Sequence, residues 1–353
     1  MSKVIVVGDA FVSVNTLRES VVSMGIPEPV EIISLEWYAD DSPEEFQRKL
    51  KVIEQNGPEA VAIPEGIMEE LGDAEYLFVH LAPISRKMLE SAKNLKLIGT
   101  CRGGVEHIDI NSAQKKGIPV IHVIRNAEPV ADYTIGLIYT VTRNIALSHA
   151  AVMQGEWPKN FPNDAYRTTL SDQTVGLVGL GHIGKMVAQR LNNLGIKVIA
   201  YDPFIDEKQV IKSGLKLTFV SIDELFAKAD IVSLHMRVTP ETENLVDEKL
   251  LALMKPSAYL INTARPGILA KAAFVEALRK RKIAGAAIDV VWEEPMQLDD
   301  PLLKLDNLVI TSHLAGDTVD AIPNSPFLLA KTIAEYLETG ESEFLIFLIV
   351  KLS

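Results

Sequence analysis

Two doubly wound parallel α/β sheets, one inserted within the other, are what this sequence predicts. Three observations carry the expectation. Short β-type apolar runs alternate with amphipathic helical stretches along all 353 residues, the pattern of parallel sheets with helical crossovers. The runs fall into two successive series. The second series opens on Gly179-Leu180-Gly181-His182-Ile183-Gly184, set between an apolar run over 174–178 and a helical pattern.

The first series places strands near 4–7, 31–35, 60–63, 76–80, 96–101 and 120–123. Its first strand runs into Gly8-Asp9-Ala10-Phe11 and lacks a glycine fingerprint, so this half is not expected to hold a dinucleotide. The second series places strands near 175–178, 198–201, 231–235, 259–262, 285–289 and 308–311, enough for a complete dinucleotide-binding sheet. Between them, residues 128–154 read as one long helix with Asn126 as N-cap and Glu128 in the first turn. Ile135, Leu137, Ile138, Val141, Ile145 and Leu147 wrap almost all round it. Such a helix is buried or meets a second subunit, so a homodimer is expected. The last helix has Ser325 as N-cap, Pro326 at the first helical position, a face of Leu328, Leu329, Ile333 and Leu337, and a stop at Gly340. A helix after a finished sheet must dock elsewhere, and the first domain is the natural place. The chain then crosses twice, near Arg125 and Asp317, giving a Rossmann domain at 126–317 inside a flavodoxin-like substrate domain at 1–125 and 318–353, with the site expected between them.

The fingerprint explains its own residues. Gly179 permits the tight turn out of the strand, Gly181 lets backbone approach a pyrophosphate, and Gly184 lets the helix pack on the sheet. His182 and Ile183 form the helix start whose N–H groups face the phosphates. Asp202 ends the next apolar run, 18 residues beyond Gly184, where an acid binds the ribose hydroxyls and repels a 2′-phosphate. NAD is favoured over NADP.

Composition narrows the rest. A formal charge of −12 argues against nucleic acid and anionic membranes as partners. There is no CxxC or HExxH, so no metal is expected. Cys101 stands alone in an apolar run, which fits a reducing cytoplasm and a small buried hydrophobe rather than a nucleophile. The N-terminus enters a strand at once and does not read as a signal peptide. The apolar stretch 344–350 is far short of a membrane span and needs cover in the fold or at a subunit contact.

A nicotinamide cofactor needs a proton donor for the carbonyl oxygen and a cation for the substrate, both at strand ends. Arg265 directly follows the run 260–264, and its guanidinium suits a carboxylate. His313 directly follows the run 308–312 and can exchange a proton near neutral pH. A carboxylate partner would stabilise the protonated imidazole that donates to a ketone. Glu294 and Glu293 both qualify, and spacing does not choose between them.

Thr263-Ala264-Arg265, then 286–290 with Glu294-Pro295, then Ser312-His313-Leu314-Ala315-Gly316, resemble the signature blocks of the D-2-hydroxyacid dehydrogenase family. So do the fingerprint, Leu234-His235 with 239–242, Gly103-Gly104-Val105 and Gly117-Ile118-Pro119-Val120. The resemblance implies an NAD-dependent enzyme that interconverts a D-2-hydroxy acid and its 2-keto acid. It implies that Arg265 holds the substrate carboxylate, His313 is the acid and base, and Glu294 holds and tunes His313. It also brings Thr263, Ala264 and Asp289 toward the nicotinamide riboside, and backbone N–H groups of Gly103 and Gly104 toward the substrate carboxylate. Arg102 is a candidate for a second polar group of the substrate, or a loop arginine in a salt bridge. Pro266, Arg237, Asp132 and Lys271 depart from the family pattern, and the chain ends before the regulatory domain of many phosphoglycerate dehydrogenases. The alternative on the same scaffold is an NAD(H)-sensing, corepressor-like binding protein.

Overall fold

The computed structural model describes residues 1–346, and the chain divides into two compact units. One is Met1–Arg125 together with the segment that starts at Thr318; the other is Asn126–Asp317.

The first unit holds a five-stranded sheet in the order β2-β1-β3-β4-β5, made of β1 (Ser2–Asp9), β2 (Val30–Trp37), β3 (Tyr76–Val79), β4 (Leu97–Thr100) and β5 (Val120–His122). All pairings are parallel, and the order is that of flavodoxin-like sheets. Burial sorts the strands: β1, β3 and β4 are covered on both faces, while edge strand β2 is mostly half-buried or exposed. The expected strand at 60–63 does not form. Pro58 opens a single 3-10 turn, Pro58–Ala60, and Pro64 closes the run. Two prolines lack the ladder donor and restrict their neighbours, which leaves five strands in place of six.

The helix Ser325–Thr339 belongs to this unit and packs on helix Val14–Val21 and on β4 and β5. Asn324, not Ser325, is at its N-cap position; Ser325 Oγ instead donates to the Ile322 carbonyl at 2.6 Å. Its buried stripe is Leu329, Ala330 and Ile333, while Leu328 and Leu337 are exposed. Leu328 lies about 140° around the helix from Ile333, at the middle of the stripe, and so falls outside it. Beyond Gly340 the chain returns to the sheet edge, where Leu345 bridges Ile121 antiparallel and the Ile346 N–H donates to the Val120 carbonyl at 2.9 Å. That covers the start of the apolar stretch, whose remainder, 347–350, lies outside the described residues.

The second unit holds a seven-stranded parallel sheet, β12-β11-β10-β9-β6-β7-β8. Its strands are β6 (Thr174–Val178), β7 (Lys197–Tyr201), β8 (Thr218–Phe219), β9 (Ile231–Leu234), β10 (Tyr259–Asn262), β11 (Gly285–Ile288) and β12 (Leu308–Ile310). The order reverses between β6 and β9, as in a Rossmann sheet extended by one strand. The reading over 174–311 missed only β8, a two-residue edge strand too short to carry a period.

The long helix expected over 128–154 is two helices, Ala127–Thr142 and Ile145–Met153. Asn144 breaks them apart by adopting φ 56°, a left-handed conformation that asparagine tolerates. Its buried amide donates to Asn163 Oδ1 at 2.6 Å, and Asn163 Nδ2 donates to the Tyr259 hydroxyl at 2.7 Å. Asn126 occupies the N-cap position but makes no side-chain cap bond. The first helix buries Ala131 and, each worth about 1.5 to 3 kcal/mol on the usual area scale, Val130, Leu137, Ile138 and Val141. The second buries none of its residues and exposes Ile145, Val152 and Met153.

Candidate active site

The turn from β6 into helix His182–Asn193 lies at the point where the strand order reverses. Gly179 has φ 95°, and a Cβ there would lie 2.9 Å from the His235 carbonyl group. At Gly184 a Cβ would lie 2.3 Å from the Gly179 carbonyl oxygen, so only glycine lets the helix close on the turn. Gly181 differs, because a Cβ there would meet nothing within 4 Å. The loop is therefore tight on its inner side and open where the helix N-terminus begins, which suits a pyrophosphate. Asp202 Oδ2 accepts the Leu180 N–H at 2.7 Å and Oδ1 accepts the Phe204 N–H at 2.9 Å. That ties the acid at the end of β7 to the glycine loop. These residues fit a dinucleotide with free ribose hydroxyls.

Three further strand ends of this sheet present polar and charged groups. At the end of β10, Asn262 is buried, its Oδ1 accepts the Ala264 N–H at 3.0 Å, and its Nδ2 donates to the Arg265 carbonyl at 3.1 Å. Thr134 donates its hydroxyl to the Val130 carbonyl at 2.7 Å, so its 2.9 Å bond with Thr263 Oγ1 is one it accepts. The Thr263–Arg265 turn is thus pinned from both sides. Arg265 is extended, at φ −145° and ψ 142°, as a residue before proline should be. Its Nη1 donates to the Ala264 carbonyl at 2.7 Å.

Past β11, Glu294 Oε2 lies 2.9 Å from His313 Nδ1, and Oε1 accepts the Val291 N–H at 3.3 Å. Glu293 is bonded instead to Gln297, at 2.9 Å. The hydrogen bond from His313 is the largest influence on the Glu294 carboxyl; burial opposes it, and the Val291 N–H and the charges of His313 and Arg265 add to it, so the carboxyl stays below the usual carboxylate range. His313 Nε2 has no hydrogen-bond partner among the described residues.

Asp289, at the end of β11, is buried and spends both oxygens on the loop that carries His313. Oδ1 accepts the Thr311 hydroxyl at 2.5 Å and the Leu314 N–H at 2.9 Å, and Oδ2 accepts the Ala315 N–H at 2.8 Å. His313 itself has φ 60°, an unusual conformation for a non-glycine residue and one that needs such an anchor.

The second unit therefore brings together Arg265, Glu294, His313 and Asp289. Arg102, Gly103 and Gly104 belong to the first unit. There the Arg102 guanidinium lies 3.2 Å from Glu54 and 3.5 Å from Glu106. Asp132 and Glu128 both pair with Arg190, and Lys271 pairs with Asp300 at 2.6 Å. Sequence reasoning missed Asn262 and Thr134. Asn262 could have been found as a polar residue at the inner end of a buried strand, whereas Thr134 gives no sequence signal. Among the described residues no cluster of His, Cys, Asp or Glu could hold a metal ion, and no helix is long and apolar enough to cross a membrane.

Comparison with known proteins identifies the family. Residues 135–315 match the family model for the NAD binding domain of D-isomer specific 2-hydroxyacid dehydrogenases. A glyoxylate reductase of Thermofilum pendens is 38% identical over 282 residues, covering 78% of this chain and 81% of that protein. A D-3-phosphoglycerate dehydrogenase of Methanocaldococcus jannaschii is 36% identical over 294 residues, 82% of this chain but 55% of that longer protein. The NAD-complexed D-isomer specific 2-hydroxyacid dehydrogenase of Lactobacillus delbrueckii ssp. bulgaricus shares the fold. Its TM-score is 0.70 at 23% identity, over 98% of this chain and 100% of that one. None of these supports the binding-protein alternative. The chain belongs to the D-isomer specific 2-hydroxyacid dehydrogenase family, an NAD-dependent oxidoreductase that interconverts a D-2-hydroxy acid and its 2-keto acid.

Proposed function

We propose that Arg265, His313 and Glu294 carry the reaction. The single observation behind this is the 2.9 Å Glu294–His313 bond beside the Arg265 charge, at strand ends of the sheet that holds the glycine fingerprint. Bound NADH supplies the hydride. Arg265 takes the carboxylate of the keto acid through parallel N–H···O bonds. His313 donates its Nε2 proton to the forming alkoxide, while Glu294 accepts Nδ1–H and fixes the ring and its tautomer. Gly179, Gly181, His182, Ile183 and Gly184 hold the pyrophosphate, and Asp202 takes the ribose hydroxyls. Thr263 and Ala264 border the nicotinamide riboside, with Asp289 holding the His313 loop beside it. Gly103 and Gly104 offer backbone N–H groups to the substrate carboxylate. Arg102, engaged by two acids, shapes that loop.

The relatives, a glyoxylate reductase and a D-3-phosphoglycerate dehydrogenase, bracket the substrate as a short 2-keto acid. A panel of 2-keto acids graded in size and charge, followed by NADH absorbance, tests this. Loss of NADH with at least one of them is the expected result. Tight NADH binding with no turnover across the panel would overturn the reading. The exposed Ile145, Val152 and Met153 favour a homodimer built on that helix, which a solution mass would check. A single buried thiol fits a cytoplasmic enzyme.

A further inference from the structure

The amino ends of three strands in the second unit border a pocket that the reaction above does not use. Tyr259 is the first residue of β10, Gly285 is the first of β11, and Asn307 directly precedes β12. All three line the pocket, with Asn163 beside them and Val141, Leu147 and Val309 as apolar walls. The carboxyl ends of the same strands lead to Arg265, Asp289 and His313. These strands are three or four residues long, so the pocket lies about 10 to 13 Å from that end of the sheet.

Two hydrogen-bonding groups are left unspent there. Asn307 is 7% exposed, and its Nδ2 donates to the carbonyls of Leu278 at 3.2 Å and Ala284 at 3.4 Å. Those two bonds fix which end of the amide is oxygen, and that Oδ1 is buried without a partner among the described residues. Tyr259 is its complement. The hydroxyl accepts from Asn163 Nδ2 at 2.7 Å, so its own proton remains to be donated. Gly285 keeps the gap between the two open, since a Cβ there would lie 2.8 Å from the Asn307 carbonyl oxygen and 3.4 Å from the Tyr259 ring. The cavity measures about 10 Å³, room for one water-sized group. A hydroxyl meets both demands, donating to Asn307 Oδ1 and accepting from Tyr259. The one charged residue of the lining, Asp306, is already paired with Arg281 at 2.7 Å, so the site suits a neutral ligand.

We propose that this pocket binds the hydroxyl head of a small neutral alcohol between Asn307 Oδ1 and the Tyr259 hydroxyl, with its apolar tail against Val141 and Leu147. The site lies wholly within the second unit and does not rest on the proposed keto-acid reaction. Water offers the same hydroxyl chemistry without the tail, and the test separates the two.

Propan-2-ol and acetone have the same heavy-atom skeleton, but only the alcohol can donate to Asn307. Each is titrated into the full chain and followed by the backbone amide resonances of Tyr259, Gly285 and Asn307. Propan-2-ol should shift the three together and saturate, with an affinity roughly fivefold above that of acetone, the usual worth of one hydrogen bond. The amides of Gly179, Gly181 and Gly184 should stay in place. Tyr259→Phe, which removes the donor, should weaken propan-2-ol by a similar roughly fivefold factor. Leu147→Trp, which fills the space for the tail, should abolish the saturating shift at unchanged solution mass. Shifts that never saturate overturn the proposal and leave the site to water. So do equal affinities for alcohol and ketone, or alcohol binding that is indifferent to both substitutions. If Tyr259→Phe does not fold, Leu147→Trp and the wild-type comparison of alcohol with ketone still decide.

Discussion

Two carboxylate–imidazole pairs in this chain have nearly equal lengths and opposite surroundings. Glu294–His313 is 2.9 Å long with side chains 42% and 49% exposed, while Asp9–His80 is 3.0 Å long with both at 0%. Pair geometry alone therefore does not make an acid–base couple. What differs is the far nitrogen. His313 Nε2 is without a partner among the described residues, so it can exchange a proton with a ligand. His80 Nε2 is filled by a permanent donor, the Arg125 guanidinium, so it accepts a hydrogen bond and has no open position for a proton. The backbone differs as well, since His313 has positive φ and is held by Asp289. Strain of that kind persists where function needs it and neighbours enforce it.

The sharpest way to break this comparison is at the exposed pair. His313→Gln should lower NADH-dependent reduction of a good keto acid by roughly a hundred- to ten-thousandfold, the usual worth of a general acid. NADH affinity, read by fluorescence titration, should stay within twofold. Glu294→Gln should cost less, about ten- to a hundredfold, because the ring keeps a weaker acceptor. An unchanged rate in His313→Gln would show that some other group supplies the proton.

The anchor behind His313 comes next. Asp289→Ala strands the Thr311 hydroxyl and the N–H groups of Leu314 and Ala315, and leaving buried donors unmet costs about 1 to 3 kcal/mol each in the worst case. A loss of a few kcal/mol in urea unfolding should accompany a kcat at least tenfold lower. Unchanged kcat in a folded Asp289→Ala would mean that the loop holds His313 without it.

The second unit was largely legible from residues because its signals are local: a glycine spacing, an acid at a strand end, and Arg and His just past apolar runs. Choosing Glu294 over Glu293 required the family resemblance, since two adjacent carboxylates look alike until their side chains are placed. The breaks were missed where a single residue overrides a period. Asn144 splits a continuous apolar helix because its amide bonds to Asn163, nineteen positions away, and Pro58 and Pro64 erase a run that reads as a strand. The Asp9–His80–Arg125 cluster was illegible for another reason. Its members come from three strand ends and no local spacing relates them.

The buried histidines give the pH dependence. His107 is fully buried and pushed well below its ordinary 6.5, chiefly by burial and then by the charge of Arg102. Thr100 donates its hydroxyl to the His80 carbonyl at 3.1 Å, so it accepts from His107 Nε2 at 3.0 Å, and His107 Nδ1 is buried without a partner. Protonation would put a charge there with nothing to receive it. His80 is lowered too, for the same first reason. For both rings the unfolded chain binds the proton more readily than the folded one. Their full contribution to stability is present above pH 6.5 and is lost as the pH falls below it. Each ring contributes up to about 1.4 kcal/mol per pH unit in that window. Urea unfolding at pH 7.5 and 5.5 should show the fall, and a flat profile would mean that these rings accept protons in the folded state.

The smallest effect should come from Cys101, which sits in the same buried region as Asp9 and Arg125. Burial, with the negative charge of Asp9 adding to it, pushes the thiol far above its ordinary range. A thiol kept protonated and out of reach is a packing group. Native protein should resist iodoacetamide at pH 8 over hours and react promptly once unfolded in urea. Cys101→Ala should retain activity within twofold while losing roughly 1 kcal/mol of stability to the vacated volume. Rapid alkylation of the native enzyme that also stops turnover would place a reactive thiolate at the end of β4. It would also show that the buried region around Asp9 and His80 opens to solvent.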